Sequence, residues 1–260
     1  MGSWFYKKEQ VIDFAKVEDI ESIKELILHN CTVSNFSCIT AAKALKSIHL
    51  VDCNITSEDL SCLKEMQKLK KIGLNEMKLD NILCLAEISS LRELSLRRIE
   101  GINYEELGEF GKLLDLSLQE TKIPSFAFLK KMKNLKRLEF DEVSIDDLNF
   151  LYDLPKLTEF TMLYRVEDEN ALECVSKMKY LQRFQYPVPD MNIYKECPKI
   201  RSIGIDSSRV QSFDELIGKE NITEVTFYNL KTEEQYEQQI AELKKILNLK
   251  SYRYVEELCE

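Results

Sequence analysis

Eleven times along this chain the same six-residue cadence returns: IKELIL, LKSIHL, LKKIGL, LRELSL, LLDLSL, LKRLEF, LTEFTM, LQRFQY, IRSIGI, ITEVTF and LKSYRY. Each reads apolar-x-x-apolar-x-apolar. With the first residue as position 1, the units begin at Ile23, Leu45, Leu69, Leu91, Leu113, Leu135, Leu157, Leu181, Ile200, Ile222 and Leu249, at spacings of 22, 24, 22, 22, 22, 22, 24, 19, 22 and 27 residues. Positions 4 and 6 carry the period-2 signature of a strand. The residues that follow, such as TSEDLSCLKEMQK, space Leu60, Leu63 and Met66 as a short amphipathic helix would. A unit this short cannot bury its apolar stripe alone, so the units must stack. The expected class is α/β: a right-handed curved solenoid with a parallel sheet on the concave face and short helices on the convex face.

In these units the chain resembles the leucine-rich repeat family, closest to its short class of about 22 residues, as in bacterial internalins and a phosphatase regulatory subunit. The resemblance covers residues 23 to 255 and implies a leucine-rich repeat solenoid serving as an interaction or regulatory module. One column departs from the family, which usually has Asn at position 9, where its side chain ties down the turn. Here that column reads Cys31, Cys53, Met77, Ile99, Thr121, Val143, Arg165, Pro189, Ser208 and Leu230. Some other pairing must then satisfy the turn backbone.

A stack exposes core and an unpaired strand edge at both ends, so caps are expected. Residues 1–22, with Trp4, Phe5, Val11, Ile12, Phe14 and Ile20, read as a helical N-terminal cap; 23–248 are the repeats. Residues 249–260 form a final strand and C-terminal cap carrying Tyr252 and Tyr254, fed by the helical segment TEEQYEQQIAELKKIL. Neither linker nor second domain is evident. Capping-box spelling occurs at Ser212 with Glu215, Thr232 with Gln235, and more loosely Asn103 with Glu106.

Composition narrows the function. The balance of 36 basic against 45 acidic residues, net charge -9, disfavours a nucleic-acid backbone as partner and favours a basic protein. No apolar run approaches the roughly 20 residues that cross a bilayer, and the start MGSWFYKKEQ lacks a secretion signal. A cytoplasmic protein is expected, with its eight cysteines, none in a CxxC pair, as reduced thiols. There is no GxGxxG, HExxH or GxSxG, and no carboxylate pair is tied to a cleft. No catalytic, cofactor or metal site is assigned, and an enzyme is not expected.

One stretch, SIHLVDCNI, tests that exclusion. His49 lies four residues before Cys53, and His29 two before Cys31. In the repeat register the histidines occupy positions 5 and 7, which point outward from the strand, whereas both cysteines occupy position 9, where side chains turn inward. Four ligands of a tetrahedral zinc would have to converge, and these do not.

Positions 3, 5, 7 and 8 project onto the concave face. The candidate partner-binding set is Asp115, Gln119, Glu120, Arg137, Glu139, Asp141, Glu159, Thr161, Leu163, Tyr164, Arg183, Gln185 and Tyr228: an acidic centre with an apolar edge. A basic column at position 2 (Lys24, Lys46, Lys70, Arg92, Lys136, Arg201, Lys250) is read as offsetting helix C-terminal dipoles. In the 19-residue unit, Pro187 and Pro189 predict a shortened or non-helical convex segment.

The expected function is non-enzymatic: binding another protein, with a basic patch, through the concave face, possession of no nucleic-acid or membrane partner, and a monomeric state. Two alternatives stand beside a general regulatory module: an immunity-type neutraliser of a basic toxin, and a self-associating structural protein.

Overall fold

The computed structural model describes residues 3–164, 166 and 169–255, with backbone alone for 3–10 and 169. The side chains of Trp4 and Phe5, Arg165, and residues 256–260 of the expected C-terminal cap lie outside the described residues. The chain divides into two compact units, 1–135 and 136–260. In the first, β1 (Ser3–Asp13), β2 (Glu25–Ser34), β3 (Ser47–Val51), β4 (Lys71–Lys78), β5 (Glu93–Glu100) and β6 (Asp115–Gln119) pair in chain order, all parallel. In the second, β7 (Arg137–Asp141), β8 (Glu159–Met162), β9 (Arg183–Val188), β10 (Ser202–Asp206), β11 (Glu224–Tyr228) and β12 (Ser251–Val255) do the same. Each unit is a stack of leucine-rich repeats.

Positions 1, 4 and 6 form the core. Ile23, Leu26 and Leu28 are fully buried, and so is each corresponding trio down to Ile222, Val225 and Phe227. Each such side chain contributes about 1.5–3 kcal/mol by leaving water. The first unit stacks aliphatic residues; the second stacks rings. Phe160 lies opposite Phe184 in the strand register, and their rings stack at 5.6 Å between centroids, while Phe140 meets Phe160 edge-on at 6.1 Å. In-register parallel strands place equal positions about 4.8 Å apart, which makes such a column of like residues possible.

The outer arms differ from the expected amphipathic helices. Most are single turns of three to six residues, largely 3-10; residues 57–65 and 169–176 each join a 3-10 turn to an α-helical one without a break, the former burying Leu60 and Leu63 as its sequence predicts, and Glu233–Ile246 is the longest among the described residues. A 3-10 turn rises about 2.0 Å per residue against 1.5 Å for an α-helix, so a short arm can cross the layer and return. Thr232 caps the long helix by accepting from Gln235 N at 3.1 Å. Ser212 and Asn103 instead accept from the residue two ahead, and a full reciprocal box forms at Thr56 and Asp59. The dipole reading of the position-2 column fails on the same geometry. The arms end at Ala41 and Glu65, five residues before Lys46 and Lys70, and the dipole's influence ends within a turn. What stacks this column is backbone: Lys46 N donates to Lys24 O at 2.8 Å and Lys70 N to Lys46 O at 2.9 Å.

Two corrections concern backbone pairing. Residues 3–13 are not helical but form β1, parallel to β2, followed by 3-10 turns at Phe14–Lys16 and Ile20–Ser22. A strand satisfies the edge amides of β2, which an overlying helix would leave unpaired; the alternation of exposed Val11 with buried Ile12 and Phe14 follows from it. Where β1 meets β2 and β4 meets β5 the missing Asn ladder is replaced by more strand, and at Val33 the backbone N–H donates to Asn54 Oδ1 instead. Position 8 adopts the left-handed region in Asn30, Asp52, Glu76, Arg98, Glu120, Glu142 and Asn229, with φ between 47° and 55°. Beyond this kink pairing resumes, Met77 with Ile99 and Lys78 with Glu100, so apolar side chains can fill position 9.

Candidate functional site

On each strand positions 4 and 6 are buried while 3, 5 and 7 turn to the opposite sheet face, so the candidate residues are set by the pleat. In the first unit Asp115 and Gln119 lie on this face in β6, and Gln119 Nε2 donates to Ser117 Oγ at 3.0 Å. Glu120 follows at the left-handed position 8. Its carboxylate takes both Arg97 and Arg98, and Arg98 Nη1 also reaches Glu76 Oε1 at 3.1 Å. Burial alone would raise the Glu120 pKa, but the two arginine hydrogen bonds hold it below the ordinary carboxylate value. Glu120 is thus a structural member of a charge ladder, Glu76–Arg98–Glu120, running down one column of turns.

The four residues of the zinc question lie in this unit. Cys31 Sγ donates to His29 O and Cys53 Sγ to Val51 O, each at 3.4 Å. Burial pushes the Cys53 thiol up. The His49 imidazole lies over Gly73 of the next strand, with Nδ1 2.2 Å from where a Cβ would stand. Burial, then the charges of Lys71 and His29, lower its pKa.

In the second unit the register aligns Arg137, Glu159 and Arg183 across position 3, and Glu139, Thr161 and Gln185 across position 5. Asp141 ends β7; Leu163 and Tyr164 follow β8. Arg137 is exposed, and Glu139, Asp141, Glu159, Thr161, Leu163 and Tyr164 are half-buried. These seven residues form one accessible, predominantly acidic surface with an apolar margin, joined by Glu142 at the exposed turn.

The remaining three members are differently placed. Gln185 and Tyr228, expected on an open face, are 3% and 1% exposed. The Tyr228 hydroxyl donates to Gln185 Oε1 at 3.4 Å, from β11 to β9 across β10, and Gln185 Nε2 donates to Ser202 Oγ at 3.0 Å. Arg183 makes the parallel reach, Nη2 to Glu224 Oε2 at 2.7 Å, with Glu159 Oε2 3.9 Å from its Nε. Burial raises the Tyr228 pKa to about 12. Both braces are possible because β10 presents Ser202 and Gly204 between its neighbours. Gln185 and Tyr228 are sealed from contact, while Arg183 and Glu224 stay half-exposed.

The proline-bearing repeat explains the seal. Between Phe184 and Val188 β9 carries two residues more than β10 does between Ile203 and Ile205, and Pro187 sits in this bulge, where no ladder donor is needed. The bulge presses Tyr186 onto Gly204: a Cβ there would stand 2.2 Å from Tyr186 O. The following arm, Met191–Tyr194, is a 3-10 turn like most of the other arms, so the prolines do not set it apart by loss of helix. Beside it an open groove of about 740 Å³ lies between the loops of two repeats, lined by Pro189, Asp190, Met191, Ser208, Arg209, Val210, Gln211, Ser212 and Glu215. Sequence reasoning missed both the groove and the braces; small residues at face positions 3 and 5 of one repeat were the available signal.

Among solved structures, an internalin from Listeria monocytogenes superposes with a TM-score of 0.60 at 19% identity, covering 90% of this chain and 67% of its own. A leucine-rich repeat protein from Leptospira interrogans gives 0.54 at 12% identity, covering 91% and 67%. The TLR13–ssRNA13 complex gives 0.52 at 15%, covering 84% and 37%. At these identities the likeness establishes the leucine-rich repeat fold. No protein-family model and no curated protein matches the sequence.

Proposed function

We propose that this chain is a non-catalytic binding module that recognises a partner protein through the sheet face of its second unit, centred on Arg137, Glu139, Asp141, Glu159 and Thr161 with Leu163 and Tyr164 as apolar anchors. The observation that carries the reading is the contrast along one face. Where β9 to β11 meet, Gln185 and Tyr228 are buried and closed to a partner, whereas on β7 and β8 the acidic residues keep solvent-accessible surface beside an aromatic and a leucine. Acidic groups steer and orient a basic partner; anchors supply burial energy. In the first unit Asp115 and Gln119 offer polar contacts, but Glu120 is committed to its arginines.

The test is capture of binding partners with the wild-type chain and with the E139K/D141K/E159K variant, side by side. Loss of the same captured protein from the variant supports the assignment; undiminished capture removes it. The seven described cysteines are free thiols, which fits the proposed cytoplasmic setting. No helix among the described residues is long and apolar enough to cross a membrane.

A second reading, self-association, is favoured by β12. Tyr252 and Tyr254 occupy core positions 4 and 6 yet are 42% and 52% exposed. A mass by light scattering that rises with concentration, and falls back in a Y252S/Y254S variant, would support it over the monomer.

A further inference from the structure

The opposite flank of the second unit, where each arm returns to its strand, carries a different chemistry. Tyr152 and Tyr180 are more than half exposed there, and Ile217 is 63% exposed. Lysines from the following repeat lean back on the preceding one. Lys177 is hydrogen-bonded to the Tyr152 hydroxyl, the Lys199 ammonium sits 4.5 Å from the Tyr180 ring centroid, and Lys219 Nζ donates to Lys195 O. These three contacts tie successive repeats into one continuous surface. The return turns 152–156, 173–180, 195–201 and 217–221 together hold seven Lys or Arg against four Asp or Glu, in a chain of net charge -9.

We propose that this flank is a second docking surface, built for an acidic protein segment that carries aromatic or aliphatic side chains. Exposed tyrosines and an isoleucine beside ammonium groups match a partner that offers carboxylates and apolar groups in alternation. A phosphodiester chain fits less well: Ile217 gives it nothing to bind, and Glu173, Glu196 and Glu220 interrupt the positive potential that a run of phosphates requires. The surface is distinct from the acidic face of the same unit and opposite to it in charge, so the two can engage different partners.

The experiment measures binding of the full chain to a fluorescent glutamate–tyrosine copolymer, with polyglutamate and an oligo-dT strand as competitors. The copolymer is expected to bind and to be displaced more readily by itself than by either competitor. K177E/K179E/K199E should weaken it by about tenfold or more; Y180A should weaken the copolymer more than polyglutamate. E139K/D141K/E159K should bind the copolymer at least as well as wild type, which separates this surface from the proposed face. K177Q/K179Q/K199Q serves if the reversed variant does not fold. No copolymer binding, full binding by the lysine variants, or stronger displacement by oligo-dT overturns the proposal.

Discussion

Tyr228 on β11 and Gln185 on β9 are joined by a hydrogen bond of 3.4 Å across an intervening strand, and both side chains are buried on the sheet face opposite the leucine core. A repeat protein ordinarily spends that face on solvent or a partner; here a stretch of it has become a second, polar core.

The brace can be measured. Tyr228→Phe keeps the ring but leaves Gln185 Oε1 without its donor, and should cost about 1–3 kcal/mol in a urea titration. The pH dependence has a definite sign. The folded-state pKa, about 12, lies above the ordinary value of 10.0, so this group's contribution is complete below pH 10 and is lost as pH rises towards 12. The phenylalanine variant should lose less stability than wild type over that alkaline range. Equal slopes would contradict the burial of the hydroxyl.

Gly204→Ala should destabilise by roughly 1–3 kcal/mol, because its methyl group meets the Tyr186 carbonyl of the bulge. Gly111→Ala, whose Cβ would lie 3.6 Å from Lys131 O, is the matched control and should be close to neutral. Similar denaturation midpoints for the two variants would show that the bulge gives way.

His49, at face position 5 of β3, gives the corresponding test in acid. Its pKa is lowered below the ordinary 6.5, chiefly by burial over Gly73, so its contribution is present above 6.5 and declines as pH falls through the folded-state value. His49→Asn should flatten thermal stability between neutral and mildly acidic pH. Persistence of the full slope would assign it elsewhere.

Glu120→Gln should lower the melting temperature slightly in low salt and leave it unchanged in high salt, since Arg97 and Arg98 are partly exposed and the pairing is screened. Below the ordinary carboxylate value of 4.5 the difference should fade, because the wild-type carboxylate is lost as pH falls through its lowered pKa. A salt-independent loss would mean the ladder acts through packing.

The repeat was fully legible in the chain because burial at positions 1, 4 and 6 is a local property of each strand, repeated until chance is excluded. The same pleat marked Asp115, Glu139 and Glu159 as face residues. What letters could not convey was the fate of a face side chain, which depends on what stands one and two strands away. Tyr228 is buried because Gly204 and Ser202 leave room and Gln185 waits beyond them; Glu120 is neutralised by arginines 22 and 23 residues earlier. The N-terminal segment is ambiguous in sequence for a related reason. Its apolar residues fit either a helix or a strand, and the unpaired edge of β2 decided between them. Periodicity fixes which way a side chain points, since that needs only its own backbone; its neighbours decide whether it remains open to a partner, since that needs the stack.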